Sequence, residues 1–213
     1  MYRRLLRRFG PRHWWPAKTP FEVAVGAVLT QNTAWTNVER AIAALTRARA
    51  LSPRRLWDMP TRQLARRIRP AGYFNLKARR LRALVAWWVR QGNPVVATRR
   101  RPLAALRQEL LGVHGIGPET ADSILLYALG RPAFVVDAYT KRILARHGWV
   151  SWETPYDALQ RVFTQRLPRD AALYNEYHAL LVELGKTTCL KRRPKCGECP
   201  LRDLGVLRLE AGA

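Results

Sequence analysis

Residues 111–124, Leu-Gly-Val-His-Gly-Ile-Gly-Pro-Glu-Thr-Ala-Asp-Ser-Ile, set glycines on both sides of one isoleucine and a proline directly after them. Gly115 and Gly117 allow the turn a positive φ and let its backbone come close to a ligand. Pro118 suits the first position of a helix and leaves the free N–H groups of that helix start pointing outward. Amides so placed, with the Thr120 hydroxyl one turn in, hold a phosphate without reading a base sequence. A plain connection between two helices would use the same glycines for packing. About 20 residues on, Asp137 follows the apolar pair Val135-Val136 and precedes Ala138-Tyr-Thr-Lys-Arg-Ile143. An aspartate there is ordinarily an N-cap. Near a phosphate-holding turn it is also a carboxylate able to reach the sugar of the same nucleotide. Breaking an N-glycosidic bond builds positive charge on that sugar, which a fixed carboxylate stabilises while it activates water.

Cys189, Cys196 and Cys199 are all the cysteines of the chain, with six and then two residues between them. Three clustered thiols do not suit a secreted disulfide scaffold; they suit a local metal site in a reducing compartment. The charge names the partner. The 213 residues carry 38 Lys and Arg against 15 Asp and Glu, a formal charge of +23. Acids are absent from Met1 to Phe21 and again from Met59 to Gln108. Such a field draws polyanions, of which nucleic acid is the commonest. A hydrophobic share of 48% excludes disorder. No run nears the roughly 18 apolar residues of a membrane span, and Arg pairs break up the first ten residues, so no signal-peptide core is present. The expectation is a soluble, cytoplasmic, nucleoid-associated protein with no membrane partner.

The elements that must position these residues are helical. Apolar spacing predicts helices over 21–30, capped by Thr19-Pro20, over 36–49, from Ser52-Pro53, and over 63–68 with Thr61 as cap. Further helices follow over 75–91, 102–111, 118–129, 138–147, 155–166 and 170–185. Phe134-Val135-Val136 is too short to seed a sheet, and the fold class is all-α. Trp57, Trp87 and Trp88 are expected in the core.

The glycine hairpin, the Val-Val-Asp137 segment, the Leu29-Thr30-Gln31-Asn32-Thr33 stretch and the late cysteines occur in an order that resembles the helix–hairpin–helix DNA glycosylases of the endonuclease III superfamily, over residues 20–205. The resemblance implies two helical lobes. Residues 22–131 would form a six-helix lobe with the hairpin, and residues 1–21 with 132–213 a second lobe bearing Asp137 and the cysteine loop. Double-stranded DNA would lie across the cleft between them, with a damaged base flipped into a pocket and the enzyme acting as a monomer. Asp137 would be the catalytic carboxylate, and Asn32 with Gln31 the wedge that fills the vacated stack. Family members that cut the backbone carry a lysine at the position of Glu119; a carboxylate cannot form an imine. The resemblance therefore implies a monofunctional enzyme.

Trp14-Trp15-Pro16, the Leu-Thr-Gln-Asn-Thr run, Arg69-Pro-Ala-Gly72-Tyr-Phe-Asn75 and Gly115–Glu119 are together similar to the 3-methyladenine glycosylase branch. Trp14, Trp15 and Trp35 would then line the base pocket, where ring faces attract a cationic alkylated purine. A thymine-mismatch or oxidised-pyrimidine glycosylase is the alternative, with Tyr127 and Tyr139 as candidates to contact a neutral base. Two other classes stay open: a non-catalytic helix–hairpin–helix DNA-binding protein and a basic RNA-binding protein. The cysteine spacing resembles the start of the family's [4Fe–4S] site, whose fourth cysteine would fall at Gly205. Asp203 stands close enough in sequence to substitute; a zinc ion and a site without metal are the alternatives. Lys191, Arg192, Arg193 and Lys195 make the loop basic and suited to phosphates.

Overall fold

The computed structural model describes residues 1–12 and 17–205, and among them the secondary structure is helical throughout, with no strand. Trp14 and Trp15 lie outside the described residues. The chain divides into two compact units, Trp15–Arg131 and Met1–Trp14 with Pro132–Ala213. Residues 17–21, expected with the split unit, belong to the continuous one because Thr19 and Pro20 open its first helix.

The continuous unit is built around α2 (Pro20–Leu29). Thr19 Oγ1 caps it by accepting the Glu22 amide at 3.1 Å, and Pro20 fills the first position. Eight of its ten residues are buried, as a helix apolar all round requires. It packs on α3 (Trp35–Arg47), α6 (Phe74–Arg90), α9 (Pro118–Ser123) and the π-helical turn Ile124–Ala128 that continues α9. The short helices α4 (Pro53–Asp58), α5 (Thr61–Arg67), α7 (Pro94–Ala97) and α8 (Leu103–Leu111) complete the unit. Thr61 is the first helical residue, not the cap. Trp87 and Trp88 are buried, but Trp57 is 41% exposed, its ring covered on one side by Arg82 at 5.5 Å.

Lys77 is the one buried lysine in this core, with its ammonium donating to the Leu29 and Ala71 carbonyls at 2.8 Å each. It closes the ends of α2 and of the turn Arg69–Ala71. Burial, followed by repulsion from Arg80, lowers its pKa from 10.5 to about 8. Lys77→Met strands two buried carbonyls and should cost about 2–5 kcal/mol in urea unfolding. Because the folded-state pKa is depressed, the unfolded chain binds more protons between these values. Native stability therefore rises as pH climbs from about 8 toward 10.5, a slope the variant should lack.

In the split unit, α1 (Tyr2–Phe9) and α10 (Ala138–Arg146) both pack on α12 (Ala171–Thr187), and α11 (Tyr156–Thr164) adds Phe163. Phe163 stacks on Phe134 at 4.0 Å with Tyr174 and Tyr177 at its edges. Gly185 of α12 lets α10 approach: a Cβ there would stand 2.4 Å from the Tyr139 ring. Tyr139, which also carries Arg142 over its face at 5.0 Å, packs α10 against α12.

Candidate active site and cysteine loop

Asp137 is the N-cap that its sequence position suggested. Its Oδ1 accepts the Thr140 amide at 2.7 Å and so caps α10. Its Oδ2 faces His178 Nε2 of α12 at 3.6 Å, and 13% of the side chain stays open. Burial pushes this carboxyl upward, but the His178 charge and the Thr140 bonds outweigh it and hold it below the ordinary aspartate value of 3.8. The result is a carboxylate kept ionised, oriented and partly accessible, which suits stabilising a cation that develops next to it. Nothing in the sequence pointed to His178 as its neighbour. The available signal was a histidine inside the otherwise apolar face of 171–187.

The hairpin of the continuous unit is more heavily braced than its glycines implied. Gly115 has φ +80, and a Cβ there would stand 2.2 Å from Arg80 Cγ. Arg80 Nη1 donates to Gln31 Oε1 at 2.5 Å, while Gln31 Nε2 donates to the Gly115 carbonyl at 3.0 Å and to Thr120 Oγ1 at 2.9 Å. Gln31 is therefore bonded to the hairpin through both ends of its amide. Thr120 is buried, with its hydroxyl facing Gln31. Ile116 is buried between the helices as its position required. Gly117, by contrast, has φ −91, and nothing lies within 4 Å of where its Cβ would stand. Arg107 of α8 grips the fully buried Asp122 of α9 with two bonds of 2.8 and 3.1 Å, a fork that fixes one hairpin helix against the other.

Asn32 and Tyr73 hold left-handed backbone, at φ 52 and 43, and both are exposed, Tyr73 by 66%. Non-glycine residues kept in that region cost about 1–3 kcal/mol and concentrate at working sites. Trp35 is half-buried at the start of α3, donating through Nε1 to Glu39 at 2.9 Å. Glu119 is exposed in the first turn of α9.

The cysteine loop is stapled to the helix that Asp137 caps. Arg142 donates to the Cys189 and Gly185 carbonyls at 2.9 and 2.8 Å, and Arg146 to those of Leu190 and Lys191 at 2.5 and 2.9 Å. Cys189, Cys196 and Cys199 line one cavity of about 230 Å³ with His147, Arg146 and Lys195. Burial raises the Cys199 thiol, and the other two cysteines raise it further. Among the described residues no three His, Cys, Asp or Glu side chains are arranged to hold a single metal ion. The Asp203 side chain is 71% exposed and pairs with Arg202 at 3.4 Å. Three thiols around a roomy basic cavity fit an inorganic cluster, whose negative charge Arg146 and Lys195 would balance.

The model of the HhH-GPD superfamily of base excision DNA repair proteins matches residues 25–169. The chain belongs to that superfamily. As an HhH-GPD protein it is a base excision repair DNA glycosylase acting on DNA. The iron–sulfur binding domain of endonuclease III matches its residues 189–204. A Methanocaldococcus jannaschii protein named as a DNA repair glycosylase is 45% identical, over 95% of this chain and 93% of its own. The H. pylori 3-methyladenine DNA glycosylase bound to 1,N6-ethenoadenine is 29% identical with a TM-score of 0.71, covering 85% of this chain and 91% of the other. Endonuclease III in a non-covalent DNA complex shares the two-lobed helical fold, with a TM-score of 0.80, 23% identity and coverage of 97% and 92%. No helix among the described residues of this HhH-GPD chain is long and apolar enough to cross a membrane.

Proposed function

We propose that the protein is a monofunctional glycosylase that hydrolyses the N-glycosidic bond of a flipped alkylated purine, with Asp137 as its catalytic carboxylate. The observation that carries this reading is the Asp137 carboxylate itself, held by the Thr140 amide, faced by His178 and still partly open. It stabilises the positive sugar and orients water onto it. Gly117, with free space on its Cα, and the amides of the turn receive a backbone phosphate; Asn32 fills the stack left by the flipped base and Tyr73 serves as a second wedge.

The hydrolytic outcome is supported by what stands where an attacking amine would be. Glu119 stands at the lysine position. Lys77 is buried with its ammonium on two carbonyls, and Lys141 donates to the Thr154 carbonyl at 3.2 Å. The purine preference is supported by Trp35, by Trp14 and Trp15 in the sequence, and by the likeness to a 3-methyladenine glycosylase. Cys189, Cys196 and Cys199 would hold an iron–sulfur cluster, which when bound supplies structure to the basic loop 191–195 rather than chemistry.

Base release from methylated duplex DNA tests the whole reading. The expected result is free 3-methyladenine, strand breaks only after alkali, and no adduct trapped by borohydride. Release from thymine-mismatch or oxidised-pyrimidine duplexes alone would move the substrate and keep the hydrolytic mechanism. Breaks without alkali would overturn the mechanism.

A further inference from the structure

Residues 200–213 contain neither cysteine nor histidine. The fold brings a histidine in from another element. His147, the residue that ends α10, lines the same cavity as the three cysteines, with Nε2 3.8 Å from Cys199 Sγ. Its ring lies nearly parallel on Trp149, with centroids 4.4 Å apart and planes 17° apart. Trp149 Nε1 in turn donates to the Gly205 carbonyl at 2.8 Å. Gly205 is where the cysteine spacing would place its fourth member, so the imidazole sits one ring away from the missing thiol. Asp203, the other candidate, is not among the cavity's lining residues, and its exposed side chain pairs with Arg202.

We propose that His147 Nε2 is the fourth protein ligand of a [4Fe–4S] cluster otherwise held by Cys189, Cys196 and Cys199. This rests on the iron–sulfur reading above. A neutral imidazole in place of a thiolate makes the cluster less negative, which raises its reduction potential. The stack on Trp149 fixes the ring plane, and the short helix-ending backbone fixes its origin, so the ligand arrives preoriented.

The test uses the full chain, reconstituted anaerobically with iron and sulfide, carrying ¹⁵N-histidine and reduced for pulsed EPR. The wild type should show nitrogen hyperfine coupling to the cluster. His147→Cys should lose that coupling while keeping all its iron, because a thiolate takes the position. His147→Ala should lose one iron on mild oxidation and show the signal of a three-iron cluster. Asp203→Asn should change neither iron content nor coupling. A wild-type cluster without nitrogen coupling, or a His147→Ala protein with unchanged iron and spectrum, overturns the assignment. Metal analysis that finds zinc, or no metal, overturns the cluster reading and this ligand with it.

Discussion

Asp137→Asn should lower single-turnover base excision by about 10²–10⁴-fold while the protein still folds and still binds duplex carrying an abasic site. Asparagine keeps an oxygen for the Thr140 amide, so the cap survives and the comparison isolates the charge. The pH profile offers a second readout. The folded-state value lies below 3.8, so the carboxylate stays ionised as pH falls through the ordinary aspartate range. Its stabilising contribution is present above 3.8 and is lost only as pH falls through the lower folded-state value. An acid limb in the excision rate centred above 3.8 would not be this group. If the variant excises at the wild-type rate, the protein binds DNA without Asp137 chemistry and the catalytic assignment fails.

Gly115→Ala should lower both stability and DNA binding. The new Cβ needs φ +80 and meets the middle of the Arg80 side chain, not its free end. Arg80 must then leave Gln31, and the clamp on the Gly115 carbonyl and Thr120 loosens. Strain and overpacking together should remove about 2–4 kcal/mol, read as a lower Tm and weaker binding to abasic-site duplex. Gly117→Ala gives the contrast. It has room and an ordinary φ, so stability should change by about 0.5 kcal/mol or less. Its binding should nonetheless weaken, because the added methyl stands where a phosphate approaches. Equal stability losses in the two variants would mean that Gly117 serves packing as well.

What the sequence made legible follows from which forces are local. Thr19-Pro20, Asp137 and the hairpin glycines act within a few residues of themselves, so their caps, turns and helix starts could be placed from spacing alone. The all-α pattern is of the same kind. Gln31, Arg80, Thr120 and His178 act across dozens of residues, and nothing in their immediate neighbours records the partner. The resemblance gave Gln31 a role together with Asn32; in space its amide also bonds the hairpin 84 residues away. Trp57 shows the converse: a tryptophan in a helix is ordinarily core, yet α4 is so short that its outer side reaches solvent. The missing fourth cysteine was visible at Gly205, but the ring beside that position could come only from the fold.

The split unit has a consequence for how the protein is made. Tyr2 meets Tyr177 with ring centroids 5.2 Å apart, and Arg12 is bound to Glu176 and Glu183. Helix α1 therefore docks on α12 only after the whole continuous unit has been synthesised between them. That unit can complete its own core during translation, whereas α1 must wait unpaired, exposing Leu5, which is fully buried in the finished protein. Its Arg-rich face keeps the waiting segment in water. Closure of so long a loop costs only logarithmically more than that of a short one, so the delay is a matter of order in time rather than of final stability.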